Sequence, residues 1–231
     1  MVWRIEIGSI SKKLMKRITI IAGHYGSGKS EVSVNLALNH KVDYIVDLDI
    51  INPYFRSRAL NELFEENGIH LVESTIKGML NSDMPYVSGE GVVPFVNKEV
   101  TAIYDLGGTE NGAKVLIQFA DRITDIENID FLCCLNIFRP ETADAKLILK
   151  TITMLEAQTQ LKITGLINNT NLMEFTTVED IIEGERILSE VSEKLNIPIM
   201  YTVVEETHKQ IEYDFKGERL NLIRYVAQKW L

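Results

Sequence analysis

Gly23-His24-Tyr25-Gly26-Ser27-Gly28-Lys29-Ser30 fits the pattern G-x-x-x-x-G-K-[ST] at every fixed position. The residues before it, Ile18-Thr19-Ile20-Ile21-Ala22, read as a short buried strand. Those from Glu31 to about Asn39 read as a helix. Strand, loop and helix in that order are the setting the pattern requires. Its glycines let the backbone curl so that several N–H groups point inward at an anion. The helix start adds the positive end of a dipole. The run from Gly23 to Glu31, through His24, Tyr25, Gly26, Ser27 and Gly28, is therefore the expected phosphate cradle. Lys29 is expected to reach the outer phosphates of a nucleotide and Ser30 to hold Mg²⁺.

Working outward, strands and helices alternate. A strand near 42–46 precedes Asp47-Leu48-Asp49, and a helix then runs to about Glu66, stopped by Asn67-Gly68. Residues 74–98, with Gly78, Pro85, Gly89, Gly91 and Pro94, read as loop with a short helix, the kind of stretch that carries a binding surface or lid. Ala102-Ile103-Tyr104 leads to Asp105-Leu106-Gly107-Gly108, with a helix expected from about Gly112 to Ala120. Phe131–Ile137 and Ile163–Ile167 are apolar strands with an amphipathic helix over 143–157 between them. Thr176-Thr177-Val178-Glu179 is a capping-box signal for the next helix, closed by Asn196 and Pro198. Met200–Val204 is expected to be the last strand, followed by helices over 206–213 and 217–230. The pattern predicts an α/β fold: a doubly wound, mainly parallel sheet with helices on both faces, in one domain over 1–231. Residues 1–16 read as an N-terminal extension, basic in character.

In open parallel sheets, ligands bind outside the carboxyl ends of the strands. Asp47, Asp49, Asp105, Asn168 and Asn169 all fall at such ends. Asp105 is placed to bind Mg²⁺ through water, and Gly108 to offer its N–H to the last phosphate. Asp47 and Asp49 allow two readings. One carboxylate holds metal-bound water while the other orients an attacking water, or both serve ordinary turn chemistry before Asn52-Pro53.

These three runs, in this order, resemble the MinD/ParA and nitrogenase iron protein group of P-loop ATPases, over roughly residues 18–205. Ile103-Tyr104-Asp105-Leu106-Gly107-Gly108 is similar to that group's second switch. Gly165-Leu166-Ile167-Asn168-Asn169 resembles the segment whose last Asn reads the adenine edge. The resemblance implies that Asn169 reads the base, with Asn168 as fallback, and that Asp49 orients the attacking water. It also implies ATP or ADP with Mg²⁺ as ligands, a partner protein, and a nucleotide-dependent homodimer. One departure is His24, where the group usually carries a second lysine. Arg56 or Arg58 would restore that charge, or would form surface ion pairs. Glu205 and Glu206 lie where relatives close over the base.

Composition narrows the remaining classes. A net charge of −9 argues against nucleic acid as a default partner. The cysteines, Cys133 and Cys134, are strand neighbours that point to opposite faces, so a mutual disulfide is not expected; free thiols suit a reducing cytoplasm. No apolar run has the length of a membrane span. The apolar stripe Leu220, Ile223, Val226 and Trp230 reads as a last helix packed on the sheet, in preference to a membrane-binding tail. The favoured reading is an Mg²⁺-dependent ATPase acting as a switch on a partner. A small-molecule kinase or ligase, and a GTPase metallochaperone, share the loop. Asn169-Thr170-Asn171-Leu172 lacks the Asp that guanine recognition usually wants.

Overall fold

The computed structural model describes residues 15–49, 58–73, 88–108 and 113–226. They contain eight strands in one all-parallel sheet, ordered β3-β2-β4-β1-β5-β6-β7-β8. In chain order these are β1 (Ile18–Ala22), β2 (Tyr44–Leu48), β3 (His70–Val72), β4 (Ala102–Leu106), β5 (Ile129–Leu135), β6 (Gly165–Asn168), β7 (Ile199–Glu205) and β8 (Glu218–Leu222). The central strands β1, β4 and β5 are buried at every position. Their apolar runs do not alternate because both faces are covered.

The helices that cover it are α1 (Lys29–His40), α2 (Arg58–Glu66), α3 (Val93–Val96), α4 (Ala145–Thr159) and α5 (Val178–Leu195). Val32, Leu36 and Phe64 of α1 and α2 join one apolar layer with Ile21 and Cys134. Ile148, Ile152, Leu188 and Val191 of α4 and α5 join the other layer with Ile20 and Cys133. The two thiols thus sit on opposite faces, both free and buried. The doubly wound sheet expected from the alternation is the one observed.

Several boundaries follow their local signals. Gly68 takes φ +70 just past α2, and Asn196 caps α5 at φ 54, each a left-handed stop. The capping box of α5 is one residue later than Thr176 and Glu179 suggest: Thr177 and Asp180 exchange its hydrogen bonds. Thr176 instead accepts from Leu172 N and donates to Met173 O, tying a turn before the helix. The helix expected over 112–120 is a 3₁₀ run, Val115–Arg122.

The larger difference is at the carboxyl side. β7 is not the last strand, and Glu218–Leu222 is not helical. It pairs parallel with β7, Tyr201 opposite Glu218 and Glu205 opposite Leu222. Leu220 and Leu222 are buried and Asn221 is exposed, a two-residue period. Residues 206–208 form one 3₁₀ turn in place of the expected helix. The expected extension up to residue 14, Arg56, residues 74–87 and the tail 227–231 with Trp230 lie outside the described residues.

The chain leaves central β1, runs outward through β2 and β3, returns to β4, and then crosses to β5 on the other side of β1. That reversal opens a crevice at the carboxyl ends of β4, β1 and β5, the place where such sheets bind ligands.

Candidate functional site

The loop after β1 has the shape its glycines predict. Gly26 and Gly28 take φ +75 and +83. A Cβ on Gly28 would lie 2.2 Å from Asn169 Nδ2, so both conformation and space demand glycine there. Ser27 N donates to His24 O at 3.0 Å, closing the turn. Among the described residues, the backbone N–H groups of Gly26, Gly28, Lys29 and Ser30 donate to no other main-chain group. Ser27 Oγ is also buried without a partner. A row of unpartnered donors at the start of α1 is the arrangement that accepts a phosphate.

Below the loop the predicted polar residues converge. Ser30 Oγ donates to Asp105 Oδ2 at 2.5 Å, and Ser33 Oγ reaches Asp105 Oδ1 at 3.3 Å. Lys29 Nζ lies 3.6 Å from Asp49 Oδ2, with both side chains 3% exposed. Asp47 pairs in register with Asp105 on the adjacent strand, which turns the two side chains to the same face. Asp47 Oδ1 accepts from Asp49 N at 2.8 Å, so it also fixes the turn that aims Asp49 at Lys29. Burial pushes the Asp105 carboxyl up to about 6, against the pull of Lys29 and of the Ser30 hydroxyl. Gly108 presses on the loop from the other side: a Cβ there would meet Tyr25 N at 2.8 Å and Lys29 Nζ at 3.0 Å.

This set fits Mg²⁺, which binds through one or two protein oxygens and keeps several waters. The fit rests on a buried carboxylate and a hydroxyl in contact, not on a cage. Among the described residues, no group of three or more His, Cys, Asp or Glu side chains is arranged to hold a metal.

Asn169 comes to the loop from the end of β6. Its Nδ2 donates to Ser27 O at 2.7 Å. The amide nitrogen is therefore turned to the loop, which leaves Oδ1 as the acceptor. Asn168, the fallback, is fully buried and structural: Nδ2 donates to Ile181 O at 2.9 Å, and Oδ1 accepts from Thr170 N at 3.2 Å. His24 Nδ1 lies 3.0 Å from Tyr25 O and 3.4 Å from Glu141. Arg58 is on the solvent face of α2, 92% exposed and paired with Glu62 one turn on, the surface reading of that residue.

Two contributions go beyond what the local sequence specifies. Arg139 follows a buried strand and reads in the sequence either as a residue near the base or partner or, slightly preferred, as a solvated loop residue; its Nε donates to Gly26 O at 2.8 Å and its guanidinium lies against the cradle. The second is the far wall of a cavity of about 160 Å³ that opens beside Gly26, Gly28 and Asn169. Glu205, at the end of β7, and Arg224, just past β8, form that wall. The resemblance already put Glu205 near the base; for the Arg224 side the alternation of Leu220 and Leu222 was the one available signal.

No protein-family model and no curated protein matches the sequence. Solved structures do. Chloroplast FtsY from Physcomitrella patens superimposes with a TM-score of 0.53 at 16% identity, over 80% of this chain and 57% of that one. The signal recognition particle receptor FtsY from Elizabethkingia anophelis, in complex with GDP, gives 0.47 at 15% identity, over 90% and 63%. The cell division protein FtsY from Thermotoga maritima gives 0.47 at 13%, over 85% and 66%. The fold is that of a P-loop NTPase. The chain spans 57–66% of the lengths of these three proteins. No helix among its described residues is long and apolar enough to cross a membrane.

Proposed function

We propose that the protein is an Mg²⁺-dependent ATP-binding protein and ATPase that acts as a nucleotide switch on a partner protein. The observation that carries this reading is the convergence of Lys29, Ser30, Asp49 and Asp105 beneath a loop of unpartnered N–H groups. Ser30 and Asp105 would hold Mg²⁺, with Asp47 beside them in register. When bound, the ion neutralises charge on the outer phosphates. Lys29 supplies a fixed positive charge, and the loop N–H groups orient the phosphate oxygens. Asp49 is the carboxylate nearest Lys29 and is assigned to orient the attacking water. Arg139 adds a cation over the loop where the resemblance leads one to expect a second lysine.

The preference for adenine rests on hydrogen-bond polarity. Asn169 offers an acceptor, Oδ1, which matches the exocyclic amino group of adenine. The carboxylate on the cavity wall, Glu205, is held by Arg224 through both oxygens. It is thus engaged rather than left open to pair with the N1–H and amino group of guanine. Gly108 in contact with the loop supports a switch, because a last phosphate bound at Lys29 would pull directly on the segment after β4.

Paired titrations with ATP and GTP, each with and without Mg²⁺, test the reading. It expects Mg²⁺-dependent binding with ATP favoured, slow turnover by the protein alone, and ATP-dependent dimerisation or partner capture in light scattering. A protein that binds neither nucleotide overturns it.

A further inference from the structure

Arg224 follows the unforeseen edge strand β8, and three contacts tie its segment to the phosphate loop's own helix. Glu31, the residue after Ser30, accepts from Tyr225 N and Val226 N, each at 2.9 Å. One turn on, Asn35 and Ile223 bond in both directions, Nδ2 to O and N to Oδ1, each at 2.8 Å. Segment 223–226 is thereby strapped to α1. Between the straps, Arg224 points to the cavity beside Gly28 and Asn169. Its Nε and Nη2 donate to the two oxygens of Glu205 at 2.6 and 2.5 Å, and its Nη1 faces the Met173 sulfur. The Nε–Nη2 edge is thereby taken by Glu205, which holds the guanidinium in one plane, and the side chain is 24% exposed.

A planar cation fixed through one edge offers its face to a planar aromatic ring by stacking, whatever that ring's hydrogen-bond pattern. The cavity lining also includes apolar surface from Val203, Leu222 and Ile181. Met173, at φ +60, holds a left-handed backbone on the rim, the kind of strain that gathers at ligand sites. We propose that Arg224 is the stacking platform for the nucleobase, with Glu205, Glu31 and Asn35 as its positioning residues. This rests on the nucleotide-binding reading above. It adds a base-binding residue from beyond β7, and it divides the work: Asn169 selects which base, and Arg224 supplies affinity for any flat base.

The test compares Mg²⁺·ATP with Mg²⁺·tripolyphosphate, which carries the phosphates and no base. Arg224→Ala should bind ATP roughly tenfold more weakly, the loss of one stacked base, and tripolyphosphate as before. Glu205→Gln should show the same selective loss to a smaller degree. Equal losses for both ligands, or unchanged ATP affinity, overturn the proposal. A measurement on the unaltered protein guards against a variant that fails to fold. Amide hydrogen exchange at residues 223–226 should slow with ATP and not with tripolyphosphate, and equal protection by both overturns it. Failure of the underlying reading is distinct, because the unaltered protein would then bind neither ligand.

Discussion

Asp105→Asn separates what the site costs the fold from what it gives the ligand. The Asp105 carboxyl is fully buried, and that burial lifts it from an ordinary 3.8 to about 6. At 1.36 kcal/mol per tenfold change, keeping it ionised inside the protein costs about 3 kcal/mol. The sign follows from proton binding. Below about pH 4 the carboxyl is protonated in both folded and unfolded chains, so the substitution changes little. Between pH 4 and pH 6 the folded protein keeps a proton that the unfolded chain has released, and stability falls as pH rises. Above pH 6 the penalty is complete. The neutral amide escapes it while still facing the hydroxyls of Ser30 and Ser33. Urea unfolding of ligand-free protein should therefore show Asp105→Asn more stable at pH 8 by up to about 3 kcal/mol, or about 6–12 °C in Tm for a domain of this size. The gain should shrink toward pH 4. Mg²⁺·ATP at 1,000 times its Kd should reverse the order: it adds about 4.1 kcal/mol to the parent protein and little to a variant that cannot hold the ion. A variant less stable than the parent at pH 8, or a gain that does not vary with pH, would refute the account of Asp105 as a desolvated charge.

The remaining predictions probe separate parts of the machinery. Lys29→Ala should weaken ATP binding by about 10- to 100-fold in calorimetry, the loss of charge-assisted hydrogen bonds in a buried site. Gly28→Ala should destabilise the protein by about 1–3 kcal/mol in denaturant and abolish detectable ATP binding, since its Cβ meets Asn169 at a left-handed position. Thr177→Ala is the control: it removes the cap of α5 and should cost about 1 kcal/mol of stability without changing nucleotide affinity.

How much of this was legible in the sequence depends on whether a residue's role is local. The phosphate loop, the strand ends bearing Asp47, Asp105 and Asn169, and the caps at Gly68 and Asn196 were all readable from neighbours within a few positions. β8 was not. Leu220, Ile223 and Val226 recur at helical spacing, while Leu220 and Leu222 recur at strand spacing, and five residues cannot decide between the periods. Pairing with β7 decides it, and that partner is set by the whole sheet. The contacts of Arg139 and Arg224 were hidden for the same reason. Nothing near Arg139 in the chain encodes Gly26 O, and nothing near Arg224 encodes Glu205 except the register of an edge strand. The capping box slipped by one because Thr176 and Thr177 both satisfy the pattern, and the turn at Met173 claims the first.

The adjacent thiols of β5 have a use in the laboratory. Burial pushes the Cys134 thiol up to about 12 and that of Cys133 higher, so neither attacks a maleimide while the sheet is closed. One sulfur faces each layer. Alkylation rates assigned residue by residue, by fragmenting the peptide that carries both, would therefore report how often each side of the sheet opens, a built-in gauge of local unfolding that needs no added label site.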